Sequence, residues 1–237
     1  MLKIENFSFS YPNGKKAVQN LNIHVEKGDL YAFIGHNGAG KTTTIKSIVG
    51  ILDFETGDIL VDGQSIKEKP LECKKKIAYL PDNPDLYNSL TGIQYLNFIG
   101  DIFKISTDQR KMLIEKYAAE FELVESLNKM ISSYSHGMKQ KLALIAAFIH
   151  EPKLLIMDEP FVGLDPKATF IVKKMMKEFC DNGGAIFFST HILEVAQKLC
   201  NKIAIIKEGQ LIVKGNMEEI TKDLSLEDVF MELTEHE

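Results

Sequence analysis

The chain has 237 residues, a net charge of -5, and 26% charged against 45% hydrophobic residues, enough for a full buried core and unlike a disordered or fibrous protein. The acidic balance argues against a nucleic-acid partner, which would draw on a basic surface. The longest apolar run, Leu142 to Ile149, falls far short of the roughly 18 residues that suggest a membrane span, so any membrane role is expected to be by association.

The amino end, Met1 to Phe7, has neither the apolar core nor the small-residue cleavage site of a signal peptide, and the chain is expected to start in the cytosol. Cys73, Cys180 and Cys200 are odd in number and scattered, which reads as reduced, core-filling thiols. Residues 2 to 11 alternate Leu2, Ile4, Asn6, Ser8, Ser10 against Lys3, Glu5, Phe7, Phe9, Tyr11, a strand with one mixed and one aromatic-rich face. Pro12-Asn13-Gly14 turns the chain into a second strand near Ala17 to Glu26, and Lys27-Gly28-Asp29 turns it again.

The next stretch organises the whole chain. Leu30-Tyr31-Ala32-Phe33-Ile34 is an apolar strand, Gly35-His36-Asn37-Gly38-Ala39-Gly40-Lys41-Thr42-Thr43 a glycine-rich loop, and Thr44 to Gly50 the start of a helix. Gly35, four residues, then Gly40-Lys41-Thr42 is the P-loop spacing, in which glycines clear the Cβ atoms that would keep backbone N–H groups from phosphate oxygens. The unpaired N–H groups and positive dipole end of the helix add to that cradle. Lys41 reaches the β- and γ-phosphates, and Thr42 offers a hydroxyl to Mg2+. Tyr11, brought close by short antiparallel connections, either stacks on the adenine or simply closes its strand at the surface.

Beyond the loop helix, Gly57 to Gln64 reads as a hairpin with an Asp62-Gly63 turn, Lys74-Lys75-Lys76 as a solvated helix face, and Ile77 to Leu80 as a short strand. Pro81-Asp82-Asn83-Pro84 breaks regular structure. Thr91 to Phe103 and Asp108 to Leu123 then carry helical apolar spacing, with Thr91 and with Thr107 or Asp108 as caps, so a helical segment is inserted here. Ser132 to Met138 opens a further helix, Lys139 to Ile149, through a Ser/Gly-rich entry that is either an anion site or an ordinary cap. Lys153 to Pro160 describes a buried parallel strand ending in Asp158 and Glu159. Asp158 can hold Mg2+, and Glu159 can orient the water that attacks a γ-phosphate and accept its proton. Asp165 caps the helix Lys167 to Phe179, with Pro166 at its first position. Ala185 to Thr190 is another core strand and runs directly into His191, which is either structural, as a lone histidine usually is, or placed to reach a γ-phosphate. Strands at Ile203 to Lys207 and Gln210 to Lys214 and an amphipathic tail, Met217 to Leu233, complete the chain.

In this order and approximate spacing, Tyr11, the P-loop, the helical insertion, Ser135-His136-Gly137-Met138, Leu154 to Glu159, Gly163-Leu164-Asp165 and His191 resemble the ABC ATPase family, most closely the separate nucleotide-binding subunit of an exporter-like ABC transporter. The ending Ser225 to Phe230 resembles that subgroup as well. The resemblance implies an α/β fold, a P-loop NTPase (RecA-like) core with an antiparallel β subdomain and an inserted α-helical subdomain. Residues 1–215 would form the ATPase domain, with core and β subdomain in 1–81 and 153–215, the helical subdomain in 82–152, and a helical tail in 216–237. It further implies a head-to-tail dimer, of identical or different ATPase chains, around two ATP molecules with Mg2+. Each ATP would lie on residues 35–43 of one chain (Gly35, His36, Asn37, Gly38, Ala39, Gly40, Lys41, Thr42 and Thr43) and under Ser135 and Gly137 of the other. Tyr11 would stack on adenine, Glu159 would be the general base, His191 would contact the γ-phosphate, and Asp165 would cross the interface. An integral membrane permease would be the partner, with the ATPase held on the inner face of the membrane and driving export.

The sequence departs from the family pattern at two places. Asp82 stands where the family carries a glutamine that touches Mg2+, and His136 replaces the first glycine of the signature. A carboxylate at 82 can ligate the metal while adding negative charge near the γ-phosphate. A histidine at 136 either clashes in a place built for glycine or adds positive charge there. The competing reading is a non-transport ABC ATPase of translation or repair type, or a low-turnover nucleotide sensor. The former relatives usually carry two cassettes or a long coiled-coil insertion, neither of which is found in this chain.

Overall fold

The computed structural model describes residues 1–222 and 224–235. The chain folds in the order β1 (Leu2–Ser10), β2 (Lys16–Val25), β3 (Leu30–Ile34), α1 (Lys41–Ile48), β4 (Thr56–Val61), β5 (Gln64–Ser65), α2 (Pro70–Lys74) and β6 (Ile77–Leu80). There follow α3 (Gly92–Ile102), α4 (Thr107–Glu120), α5 (His136–Ile149), β7 (Leu154–Asp158), α6 (Pro166–Asp181), β8 (Ala185–Thr190), α7 (Leu193–Leu199), β9 (Lys202–Lys207), β10 (Gln210–Asn216), α8 (Met217–Thr221) and α9 (Leu226–Glu235).

Two sheets result. The first, in order β2-β1-β4-β5, is antiparallel, and its tightest hairpin turns at Asp62 and Gly63, both at positive φ as a two-residue primed turn requires. The second runs β10-β9-β3-β8-β7-β6, with every neighbouring pair parallel except β9 and β10. All residues of β3, β7 and β8 are buried, because both faces of this sheet are covered. Ala32, Ile34, Met157 and Phe188 pack on the side of α5 and α6, whereas Phe33, Ile156 and Phe187 pack with β1, β2 and α1 on the other. Each fully buried phenylalanine contributes about 2–3 kcal/mol of transfer free energy. Since β3, β7 and β8 are parallel, the phosphate loop, Asp158 and Thr190 all emerge at one edge, where open α/β sheets place their ligand sites.

Several local expectations are corrected. Leu2, Ile4 and Phe7 all enter the same core, so the first strand does not keep one alternation. The pairing with β2 shifts between Ile4 and Phe7, and Asn6 sits at φ 51, a bulge that flips the later side chains to the other face. Thr91 caps α3 in a reciprocal capping box with Gln94, as expected, but α4 is capped by Ser106 and not by Thr107 or Asp108. Ser135 is itself the cap of α5, which therefore starts three residues earlier than its apolar spacing indicates. Lys76 is not a solvated face, since it pairs with Asp62 at 3.0 Å. The tail forms two helices, α8 and α9, and its Asp223 lies outside the described residues. Cys73, Cys180 and Cys200 are free and buried.

Candidate functional site

A cleft of about 260 Å³ opens at the carboxyl edge of the parallel sheet, lined by Tyr11, Lys15, Ala17, Asn37, Gly38, Gly40, Lys41, Thr42, Thr43, Asp82, Asp158 and Glu159. The loop geometry depends on two glycines in particular. A Cβ at Gly35 would lie 2.4 Å from the Ile206 carbonyl oxygen, and Gly40, at φ 109, would place one 2.4 Å from the Ala17 carbonyl oxygen. The loop can therefore pass close to the neighbouring backbone and turn its N–H groups toward the cleft. Lys41 is 6% exposed, and its Nζ donates to the carbonyls of Gly35 at 2.7 Å and His36 at 3.3 Å. Burial lowers its ammonium pKa, an effect opposed by the nearby charges of Glu159 and Asp158.

The two carboxylates at the end of β7 are held differently. Asp158 accepts a hydrogen bond on Oδ1 from the Ser189 hydroxyl, while its Oδ2 is buried without a protein partner. Glu159 stands at φ 48, a left-handed conformation that costs a non-glycine residue of order 1 kcal/mol. Its N–H donates to the Ser189 carbonyl at 3.2 Å and hydroxyl at 3.1 Å, which offsets that strain. His191 Nδ1 lies 3.0 Å from Glu159 Oε2, so the imidazole orients the carboxylate while itself remaining largely exposed. Tyr11 lies at the far end of the cleft, more than a third exposed, with its hydroxyl 2.9 Å from Thr43 Oγ1 and Phe9 packed edge-on against its ring. Asp82 lies in the same cleft and accepts from the Asn83 N–H at 2.8 Å.

Ser135, Gly137 and Asp165 form a separate cluster and do not line this cleft. Ser135 Oγ accepts from the Met138 N–H at 3.2 Å. Asp165 accepts from the Ala168 N–H at 2.7 Å and pairs with Lys141 at 2.9 Å across from α5, and these contacts lower its carboxyl pKa. The His136 ring packs on Gly163, where a Cβ would come within 2.3 Å of it, and Gly137 also abuts the Gly163 carbonyl. His36 of the phosphate loop meets Phe230 of α9, with ring centroids 4.9 Å apart.

The donor set fits a hard cation. Asp158 Oδ2 is a buried oxygen in want of a partner, and Thr42 and Asp82 offer further oxygens in the same cleft. No three His, Cys, Asp or Glu side chains among the described residues are close enough to hold a metal alone, so hydroxyl, phosphate or water oxygens must complete the shell. Sequence reasoning missed Lys15 and Ala17, which reach the cleft through the tight turn in which the Tyr11 N–H donates to the Lys15 carbonyl at 2.9 Å. It also missed Ser189, detectable only once β7 and β8 are paired in register so that Asp158 faces Ser189.

A phosphate loop between strand and helix, on a parallel sheet in which β7, one strand removed across β8, ends in two carboxylates, defines a P-loop nucleotide hydrolase. The ABC transporter family profile matches residues 18–162. The chain is 31% identical to the ABC-type transporter ATP-binding protein EcsA of Bacillus subtilis, over 100% of this chain and 98% of that protein. It is 33% identical to the linearmycin resistance ATP-binding protein LnrL of the same organism, over 99% of this chain and 75% of that one. A solved ATP-binding subunit of an ABC transporter superposes with a TM-score of 0.94 at 33% identity, covering 99% of both chains. The chain belongs to the ABC transporter family and is an ATP-binding ATPase subunit of that family. Such subunits dimerise and work with membrane components, and no helix among the described residues is long and apolar enough to cross a membrane.

Proposed function

We propose that two such ATPase chains close head to tail over two ATP molecules and thereby drive a separate membrane permease in export, from the cytoplasmic face. The observation that carries this reading is the division of the site into two clusters on one chain. The phosphate cleft holds Lys41, Thr42, Asp158 and Glu159, whereas Ser135, Gly137 and Asp165 are assembled outside it and would complete the cleft of a second copy. Tyr11 stacks on the adenine, and Lys41 with the loop N–H groups neutralises the phosphates. Thr42 and Asp158 would hold Mg2+, which would supply positive charge against the phosphates. Glu159, oriented by His191 at 3.0 Å, takes the proton of the attacking water as ATP is cleaved to ADP and phosphate. His191 also reaches the γ-phosphate. The name of the LnrL relative, a resistance protein, supports export as the direction.

The permease contact is assigned to a groove of about 400 Å³ beside the helical insertion, lined in part by Ile51, Tyr79, Leu86, Tyr95, Ile99 and Phe103. Tyr87 and Phe98, 57% and 39% exposed, extend its apolar rim, whereas Leu86 is buried.

Glu159→Gln tests the reading. It removes the base and leaves the phosphate cradle, so ATP binding is expected to persist while phosphate release falls by about 10²–10⁴-fold. Wild-type turnover in this variant would refute the assignment of Glu159.

A further inference from the structure

We propose that Asp82 supplies a second carboxylate, beside Asp158, to the cation that accompanies the nucleotide, so that this cleft binds divalent metal with ATP more tightly, and metal-free ATP more weakly, than it would with a neutral amide at position 82. The inference rests on the nucleotide site described above and concerns its metal linkage.

The sheet places the two acids together. β6 and β7 are parallel with Leu80 opposite Met157, so Asp82, two residues past Leu80, and Asp158, one past Met157, leave the sheet at the same edge. Both line the phosphate cleft with Thr42. The carboxylate of Asp82 receives a hydrogen bond from the Asn83 N–H and from no other group among the described residues. It is exposed, so it can turn toward a ligand without disturbing the core.

A second observation, independent of the acidic residues as a group, points to a cation. Asp158 is 2% exposed, its Oδ1 is satisfied by Ser189, and its Oδ2 has no partner. Buried carboxylate oxygens are paired in nearly all folded proteins, and an unpaired one that lines a phosphate cleft calls for a metal ion or a water bound to one. The phenol of Tyr79, pushed up to about 12 by burial and then by the charges of Asp158 and Asp82, marks a point that both carboxylates reach electrostatically.

Charge then decides the sign of the effect. Asp82, Asp158 and Glu159 face Lys15 and Lys41 in the cleft. The phosphates of ATP add more negative charge, so without a cation the carboxylate at 82 repels the ligand. Mg2+ and Mn2+ accept one or two carboxylates together with phosphate oxygens, so with the cation present the same group attracts it. Because no three acidic, thiol or imidazole ligands among the described residues are grouped for metal alone, the preference belongs to the complex of protein, metal and nucleotide.

The test compares the full-length wild-type chain with Asp82→Gln and the closer isostere Asp82→Asn. The ATP analogue AMP-PNP is titrated calorimetrically in EDTA and in Mn2+, and bound Mn2+ is followed by electron paramagnetic resonance. In EDTA both variants are expected to bind AMP-PNP about tenfold more tightly than wild type, one charge acting through a partly solvated cleft. With AMP-PNP saturating, wild type is expected to take up Mn2+ at about a hundredfold lower free concentration, which outweighs its roughly tenfold deficit for the bare nucleotide, so the order of the proteins in AMP-PNP affinity reverses between EDTA and Mn2+. Variants that bind Mn2+ as well as wild type, or AMP-PNP no better in EDTA, would overturn the role of Asp82 while leaving the nucleotide site intact. A wild-type chain that binds no AMP-PNP in either condition would overturn the nucleotide site and this inference together.

Discussion

His150 links the helical segment's packing to pH, and His150→Leu isolates the effect. The residue ends α5 and stacks on Phe103 with ring centroids 3.8 Å apart and planes 7° from parallel, beside the groove assigned to the permease. Burial pushes its imidazole from an ordinary value of 6.5 down to about 4, and its Nδ1 is buried without a partner. The unfolded chain therefore binds a proton near pH 6.5 that the folded chain refuses until about pH 4. The contribution of a neutral His150 is fully present above pH 6.5 and is lost as pH falls through that window. Between pH 7.5 and pH 5 the linkage relation gives a loss of about 2 kcal/mol from this residue. Urea unfolding at both pH values, on wild type and His150→Leu, measures it as a difference. Lys74 and Asp85 line the same groove and are present in both proteins, so the comparison isolates the change at position 150. If the leucine variant lost as much stability as wild type over that range, the burial argument for His150 would be wrong.

Other outcomes follow from the geometry. Gly40→Ala, at φ 109 with its Cβ 2.4 Å from the Ala17 carbonyl oxygen, is expected to cost about 2–3 kcal/mol and to weaken ATP binding, whereas Gly38→Ala, at φ 84 in open space, is expected to cost about 1 kcal/mol. Thermal melts of the two variants would contradict this if their midpoints were equal. Ser135→Arg introduced into Glu159→Gln is expected to abolish ATP-driven dimerisation by light scattering, and a dimer that formed unimpaired would remove Ser135 from the interface. Charge substitution at Tyr87 and Phe98 is expected to reduce recovery with the membrane permease at least tenfold while ATP binding persists, each being a partly exposed anchor at a groove rim. Full recovery would move the permease contact elsewhere.

What was legible in the sequence follows from the range over which each feature is encoded. The phosphate loop from Gly35 to Thr42 is local, since strand, turn and helix entry specify one another within a few residues, and the structure has that arrangement. The same holds for Thr91 with Gln94 and for Asp165 with Pro166. The bulge at Asn6 was not legible, because an asparagine in an alternating pattern carries no sign of the extra residue until β1 is paired with two neighbours. Nor was the tail's contact with the loop, which rests on Phe230 meeting His36 across nearly the whole chain.

Ser189 shows why the missing part matters for chemistry. Read along the chain it is one more small residue in a buried strand, and nothing within β8 marks it. Once β8 lies parallel to β7 with Ser189 opposite Asp158, its hydroxyl occupies one oxygen of that carboxylate while its hydroxyl and carbonyl together receive the N–H of Glu159. A single residue thus leaves Asp158 with one free oxygen for a cation and holds Glu159 in its left-handed turn, where the carboxylate meets His191. The acids supply the chemistry, but the register of the neighbouring strand decides which of their oxygens remain available to perform it.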